Sequence, residues 1–411
     1  MPKNPARRRP LLRTALPAAL AAVAAVTPSA APEAALAPAP FALAGSGACT
    51  FPMKKQTPGR PWALQRVLLD QLWQDTKGKG VRVAVIDTGV DRVNPQLRDA
   101  VDTAAGRDFL EAGKDGTDDR IGHGTKVAGV IAARPRAGTG FVGLAPEATI
   151  IPIRQNDERN SGNAKTMADA IDHAVARKAD VINISQDTEQ PLAPTSALAQ
   201  AVRKAVAAGV VVVASAGNDG LDGEQKRTYP AAFDDVLAVA SSDRNNERAA
   251  FSQSGDFVGV AAPGVDILST VPGGGQCVDN GTSFSAPYAA GVAALLSAKH
   301  PDWTPRQIIA QIEQTAERSV NGRDRFVGWG VVDPVRALTE DRAPRESPEP
   351  DPGPPPAAAP EPAALAVGET PQERDERYAT YALGIAAVLV AVISGTAVVL
   401  RDRRRRRTRT P

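Results

Sequence analysis

Three short glycine-rich stretches of the chain each carry one residue that could take part in nucleophilic catalysis. Asp87 lies in VAVIDTGV, His123 in GHGTKVAG and Ser283 in NGTSFSAP. A serine hydroxyl becomes a nucleophile when a histidine removes its proton, and a buried carboxylate orients that histidine and stabilises its cation. These three turns therefore carry the parts of an acyl-transfer site.

The histidines leave one candidate for the base. The chain has three, and two of them are expected at the surface. His173 takes a polar position on a helix face, and His300 follows the end of a helix. His123, between two glycines that allow close backbone approach, is the predicted base.

The residues of the serine segment do not by themselves decide which serine is the nucleophile, or whether either is. It carries Ser283 and Ser285 at the start of a long apolar run, and a loop that only caps a helix is the alternative. The start of a helix favours negative charge, because its backbone donors and dipole point there.

The three turns need a scaffold that brings them together. Short β-branched or apolar runs alternate with helical patterns, which predicts an α/β fold with a mainly parallel sheet and helices on both faces. Reactive groups in such folds gather at the carboxyl ends of the strands. The predicted strands cover residues 81–86, 149–153, 181–184, 210–214 and 236–239, and the predicted helices cover 123–133, 164–177 and 196–208.

The N-terminal segment has the pattern of an export signal. A basic stretch, an apolar stretch and small residues at Ala42-Leu43-Ala44 predict a signal peptide over residues 1–44. An uncleaved anchor helix is the alternative, and export by the Sec or the twin-arginine route stays open.

The C-terminal segment has the pattern of a membrane anchor. Residues 378–400 contain no charged side chain and are long enough to span a bilayer, and an arginine-rich tail follows over 401–411. The positive-inside rule predicts a cytoplasmic tail and a single-pass type I protein, with a buried core helix as the alternative. The proline-rich residues 342–377 read as an extended linker.

The composition excludes some functions. The net charge of the 411 residues is +2, and no basic face is visible on the folded part, so no nucleic-acid partner is expected. No dedicated calcium loop is visible either, and neither a metal nor a cofactor is expected.

The order of DTG, HGT and GTSFSAP resembles the subtilisin family, over residues 81–338. The resemblance implies a subtilisin-like fold and a serine endopeptidase with Asp87, His123 and Ser283 as its triad. It also implies that Asn218, in ASAGN, donates to the oxyanion and that Ser185 lies on the strand that binds substrate.

The chain departs from the family where that strand continues. Many relatives have Leu-Gly after the serine, and this chain has Gln186-Asp187. A polar and acidic edge would narrow or recharge the substrate groove, so broad specificity is not expected to carry over.

The complete layout is similar to the mycosins, the membrane-anchored subtilisin-like proteases of type VII secretion. It implies an N-terminal extension over 45–80, a peptidase domain over 81–341, a protein or peptide substrate and a type VII membrane complex as partner. A mainly structural role in that complex is the alternative. A pseudoenzyme is disfavoured, because the residues of the triad and the oxyanion donor are all present.

The two cysteines of the chain then form one possible pair. Cys49 and Cys277 both lie beyond the predicted signal, in an oxidising compartment. A disulfide would tie the N-terminal extension beside the serine loop. Free thiols, or Cys49 as a lipid-modified cysteine, are the alternatives.

Overall fold

A computed structural model describes residues 56–159, 161–352 and 368–407, together with the backbone of Ala42–Leu43. The chain divides into two compact units, and the first ends at Pro352. Most of the predicted signal peptide and part of the predicted linker lie outside the described residues.

A seven-stranded parallel sheet forms the centre of the first unit, with the strand order β3-β4-β2-β5-β7-β8-β9. Its strands are nearly continuous apolar runs, as expected for a sheet that is covered on both faces. They are β2 (Arg82–Asp87), β3 (Arg107–Asp108), β4 (Thr149–Arg154), β5 (Val181–Ile184), β7 (Val211–Ser215), β8 (Val236–Ser242) and β9 (Val260–Pro263).

Helices pack against both faces because successive strand residues point to opposite sides. Val83 and Val85 belong to a buried cluster with α3 (His123–Ala132) and α6 (Thr282–Lys299). Ala84 and Ile86 belong to another with α4 (Ala164–Ala176) and α5 (Ala197–Ala207). Each residue of α6 from Thr282 to Leu296 is buried, so this helix runs through the core.

Smaller elements surround this core. Strand β1 (Ala42–Leu43) pairs antiparallel with β6 (Gln186–Asp187), and β10 (Ile267–Thr270) pairs with β11 (Gln276–Asp279). The short helices are α1 (Trp62–Gln65), α2 (Leu69–Leu72), α7 (Pro305–Thr315) and α8 (Pro334–Thr339). The Trp62 and Trp73 indole N–H groups donate to the carbonyls of Val265 and Leu144 at 3.0 and 2.8 Å, which ties α1 and α2 to the domain.

The predicted fold class is confirmed, and the predicted strands and helices match the observed ones to within a few residues at their ends. The surface position predicted for His173 is wrong. This side chain is buried, its Nε2 lies 2.9 Å from the Ala105 carbonyl oxygen, and burial lowers its pKa.

The second unit contains α9 (Pro371–Arg407), with 37 residues. Its most apolar window has a mean hydropathy of 2.6, so by length and composition it can cross a membrane. It begins before the predicted span of 378–400, within the segment predicted to be linker.

Candidate active site

Asp87 is the last residue of β2, at the carboxyl end of the sheet. Its side chain is 0% exposed, and its Oδ1 accepts from the Thr88 backbone N–H at 2.8 Å. Burial at the end of a central strand fixes the carboxylate in one orientation.

His123 begins α3 directly opposite that carboxylate. Gly122 precedes it with a φ of 80°, a left-handed conformation that favours glycine. The Nδ1 of His123 lies 2.6 Å from Oδ1 of Asp87, and the His123 side chain is 4% exposed. Its Nε2 is buried without a hydrogen-bond partner among the described residues. The second nitrogen is therefore available to accept a proton.

Close contact between the two turns requires the glycine after His123. A Cβ at Gly124 would lie 2.1 Å from the Gly89 carbonyl oxygen and 3.0 Å from the Asp87 Cβ. Any side chain at position 124 would thus push α3 away from β2 and lengthen the Asp87–His123 contact.

Asp119 holds the histidine loop and was missed by the sequence reasoning. Its carboxylate accepts from the Thr88 hydroxyl at 2.8 Å, from the Gly122 N–H at 2.8 Å, and from the N–H and hydroxyl of Thr125 at 2.8 and 2.5 Å. Desolvation by burial raises its pKa despite these bonds. The signal for it was its place four residues before His123, among polar residues that precede a helix.

Ser283 is the second residue of α6 and is 0% exposed. Its hydroxyl donates to the Ser185 carbonyl at 3.1 Å, and the Ser185 hydroxyl donates to the Ser283 carbonyl at 3.0 Å. The ring of Phe284, the next residue, lies 5.6 Å from the His123 ring. The Ser283 hydroxyl is therefore turned towards Ser185 in this conformation, and the residue that follows it packs near the His123 ring.

Asn218 follows β7 and faces the start of α6. Its Oδ1 accepts from the Thr282 N–H at 2.9 Å and from the Thr282 hydroxyl at 3.2 Å. Its Nδ2 is buried without a partner in the described part of the chain. Because a buried donor without an acceptor is costly, this amide group is suited to receive an acceptor from a ligand.

Ser185 and β6 form the edge next to Ser283. The Ser185 side chain is fully buried and accepts from the Asn183 amide at 2.9 Å, and both its hydroxyl and its carbonyl contact Ser283. Residues Ala42 and Leu43 pair with Asp187 and Gln186, which means that β6 already accepts an extended segment on its free side.

The remaining predicted residues have other contacts. The Ser285 hydroxyl donates to Ser241 at 3.1 Å within the core. His300 stacks on Trp303 at 4.0 Å and contacts Asp341 at 2.5 Å, with 21% of its side chain exposed. Cys277 lies in β11, but Cys49 lies outside the described residues, so their disulfide stays a prediction.

One buried ion pair connects the serine segment with the histidine helix. The Lys126 ammonium of α3 lies 2.5 Å from the carboxylate of Asp279 at the end of β11, and both side chains are at most 5% exposed. Lys126 also lies 5.6 Å from the centre of the Phe284 ring. Within the described ranges, no group of three or more His, Cys, Asp or Glu residues could hold a metal ion.

The sequence was also compared with models of known protein families. The model of the subtilase family matches residues 78–330, which agrees with the parallel sheet and the turns at its edge. The chain belongs to the subtilase family. It is 38% identical over 263 residues to Subtilisin E of Bacillus subtilis (strain 168), covering 63% of this chain and 66% of the relative's length.

Mycosins are also among the similar proteins. Mycosin-1 of Mycolicibacterium smegmatis is 36% identical over 332 residues, covering 68% of this chain and 73% of that protein. A solved structure of MycP1, described as a serine protease and an essential component of the type VII (ESX-1) secretion system, is 33% identical with a TM-score of 0.64. That match covers 73% of this chain and 94% of the solved chain.

Proposed function

We propose that this subtilase is a membrane-anchored serine endopeptidase that acts outside the cytoplasm. The contact that carries the proposal is the buried 2.6 Å pair of Asp87 and His123, which leaves the histidine Nε2 without a partner among the described residues. A structural histidine in a core would have both nitrogens satisfied.

Catalysis would begin with rotation of the Ser283 hydroxyl from the Ser185 carbonyl to the His123 Nε2. Catalytic hydrogen bonds are often long or poorly aligned before substrate binds and tighten in its complex. His123 then takes the proton as the hydroxyl oxygen attacks a peptide carbonyl, and Asp87 stabilises the imidazolium. His123 later returns the proton to the leaving amine.

The oxyanion of the tetrahedral intermediate would be bound by two donors. One is the Nδ2 of Asn218, which is oriented by the bonds that its Oδ1 makes to Thr282. The other is the Ser283 N–H, since the first N–H groups of a helix have no partner within the helix.

The substrate would be an extended polypeptide. Strand β6 pairs antiparallel with Ala42–Leu43, and a substrate strand that takes this place would make the same main-chain ladder beside Ser283. Helix α9 would anchor the enzyme, and the arginines at its end support a cytoplasmic tail and an outward catalytic domain.

A second role, in the assembly of a secretion complex, is supported by the similarity to MycP1, which is described as an essential component of such a system. It predicts a partner complex in the membrane and a function that survives loss of proteolysis. The first role predicts that loss of Ser283 abolishes processing of a secreted protein.

A serine-directed fluorophosphonate probe tests the enzyme directly. The full-length protein should be labelled at Ser283, and Ser283→Ala should not be labelled. Ser285→Ala is the matched control and should keep the label. Labelling of Ser283→Ala, or no labelling of the wild type, would contradict the proposal.

The cellular experiment separates the two roles. N-terminal peptides of secreted proteins are compared between wild-type and Ser283→Ala cells. Loss of specific cleavages with secretion intact supports the protease and a separate assembly role, whereas unchanged N-termini would remove the case for an endopeptidase of secreted proteins.

A further inference from the structure

The carboxylate of Asp187 lies between the end of β6 and the turn at Gly217, two segments that flank the proposed nucleophile. Asp187 ends β6, two residues after the Ser185 carbonyl that accepts from Ser283. A Cβ at Gly217 would lie 3.0 Å from its Oδ2, so the carboxylate packs against the backbone just before Asn218. It is 5% exposed.

This carboxylate has no partner in the described part of the chain. Neither a hydrogen bond nor an ion pair reaches its oxygens there, and the charges that act on it belong to Asp219 and Glu189. Burial and then these like charges raise the pKa of Asp187 to about 7. The Lys226 cation pairs with Glu189, Asp222 and Glu224 instead, at 3.2 to 3.7 Å.

An independent contact shows that a peptide can lie along the strand that carries Asp187. In the antiparallel ladder, Ala42 is opposite Asp187 and Leu43 is opposite Gln186. The next position of such a ladder is opposite Ser185, whose carbonyl is 3.1 Å from the Ser283 hydroxyl. A peptide in this register therefore presents to Ser283 the carbonyl of the residue opposite Ser185.

The side chain of that residue would emerge next to Asp187. Its carbonyl would lie between Ser283 and the Asn218 amide, so its side chain starts where β6 and the Gly217 turn meet. The Gln186 side chain on the same strand also has both polar atoms buried without partners among the described residues. This part of the groove is thus polar and carries uncompensated negative charge.

We infer that Asp187 is a specificity-determining residue that selects peptides with lysine or arginine on the acyl side of the scissile bond. A basic side chain would supply the counter-ion that the buried carboxylate lacks, and arginine could bind it through two N–H groups. An acidic side chain at the same position would meet the Asp187 carboxylate and be rejected. The inference rests on the proposed protease function and names its substrate class.

The experiment uses full-length protein and a set of peptides that differ only at the residue before the cleaved bond. Lysine, arginine, alanine, leucine and glutamate are compared by kcat/KM. The wild type should prefer lysine and arginine over alanine by about ten- to a hundredfold, the range expected for one charged hydrogen bond. A wild type that prefers alanine or leucine would overturn the inference without the need for any variant.

The variant Asp187→Asn then assigns the preference to this residue. It should remove most of the preference for lysine and arginine, while kcat/KM for alanine and leucine changes little. Glu224→Gln is the matched control, because it removes a carboxylate beside Lys226 but is exposed, and it should keep the preference. An equal loss for all peptides, with the fluorophosphonate still reacting at the wild-type rate, would show that Asp187 has no part in selection.

Failure of the protease function itself would look different. In that case the wild type would neither react with the fluorophosphonate nor cleave any peptide of the set, and both proposals would fall. A wild type that is labelled and cleaves peptides without a basic preference would contradict the specificity alone.

Discussion

At the scale of single residues, the two polar atoms of the Asn218 amide have different environments. Its Oδ1 holds the start of α6 through Thr282, and its Nδ2 is left without an acceptor. A buried donor that waits for an acceptor stabilises the charge that develops in the transition state more than it stabilises the substrate. The free enzyme bears the cost of this unsatisfied group.

Replacement of Asn218 should therefore lower kcat more than it raises KM. For Asn218→Ala we expect a fall in kcat of about 10²–10³-fold, the loss known for one oxyanion donor in subtilisin. Steady-state kinetics on a single peptide measures both constants. Thr282→Ser keeps the hydroxyl that donates to Asn218 and serves as control; a rise in KM alone for Asn218→Ala would assign the residue to substrate binding.

The raised pKa of Asp187 also predicts how the free energy of unfolding depends on pH. Its pKa is raised from 3.8 to about 7, so the folded protein binds this proton more tightly than the unfolded chain does. The stability that this group contributes is fully present below the pKa of Asp187 in the unfolded chain. It is lost as the pH rises towards the pKa of Asp187 in the folded protein. The loss between about pH 4 and pH 7 has an upper bound of about 4 kcal/mol.

Asp187→Asn carries no such proton, so its stability relative to the wild type should increase with pH. Thermal unfolding at pH 5 and pH 8 measures the difference, and the gain in Tm should be larger at pH 8. Asp222→Asn is a control, because hydrogen bonds lower the pKa of that exposed carboxyl. An equal gain at both pH values would mean that Asp187 is already ionised at pH 5.

At the scale of elements, the strands and helices of the core followed from apolar runs and their spacing, and the ends of those runs located Asp87 and His123. Asp119 did not follow, because one of its donors, Thr88, lies 31 residues earlier in the chain and becomes its neighbour only after folding. His173 was misjudged for a similar reason. It lies on the polar side of α4, but this side packs against the segment of Ala105, whose carbonyl contacts the His173 ring.

The loop before α3 depends on Asp119, which bonds to Thr88 and Thr125. Asp119→Ala would leave buried donors without an acceptor, each at a cost of about 1–3 kcal/mol, so we expect marked destabilisation. Asp119→Asn keeps one oxygen and should lose less. Urea unfolding gives the free energies, and Asp118→Ala, at an exposed ion pair with Arg120, is the matched control. Equal stability of Asp119→Ala and wild type would show that the loop does not need the carboxylate.

At the scale of the whole molecule, the first unit contains both the proposed catalytic residues and their core, and the second contains the one apolar helix in the described residues that could cross a membrane. This division implies that cleavage of peptides and attachment to the membrane are separable. A secretion role that needs position at the membrane would depend on both units.

Truncation after Pro352 tests this separation, because it removes α9 and keeps the buried clusters of the first unit. The truncated protein should leave the membrane fraction and should cleave peptides with unchanged kcat/KM, since no proposed catalytic residue lies beyond Ser283. A chimera in which an unrelated transmembrane helix replaces 378–400 should return to the membrane.

The chimera also tests whether α9 does more than anchor the protein. If it restores processing of secreted proteins, α9 acts as an anchor. If it returns to the membrane but processing stays lost, the sequence of α9 itself contacts the partner complex. Truncated protein that stays in the membrane fraction after a high-salt wash would contradict the anchor.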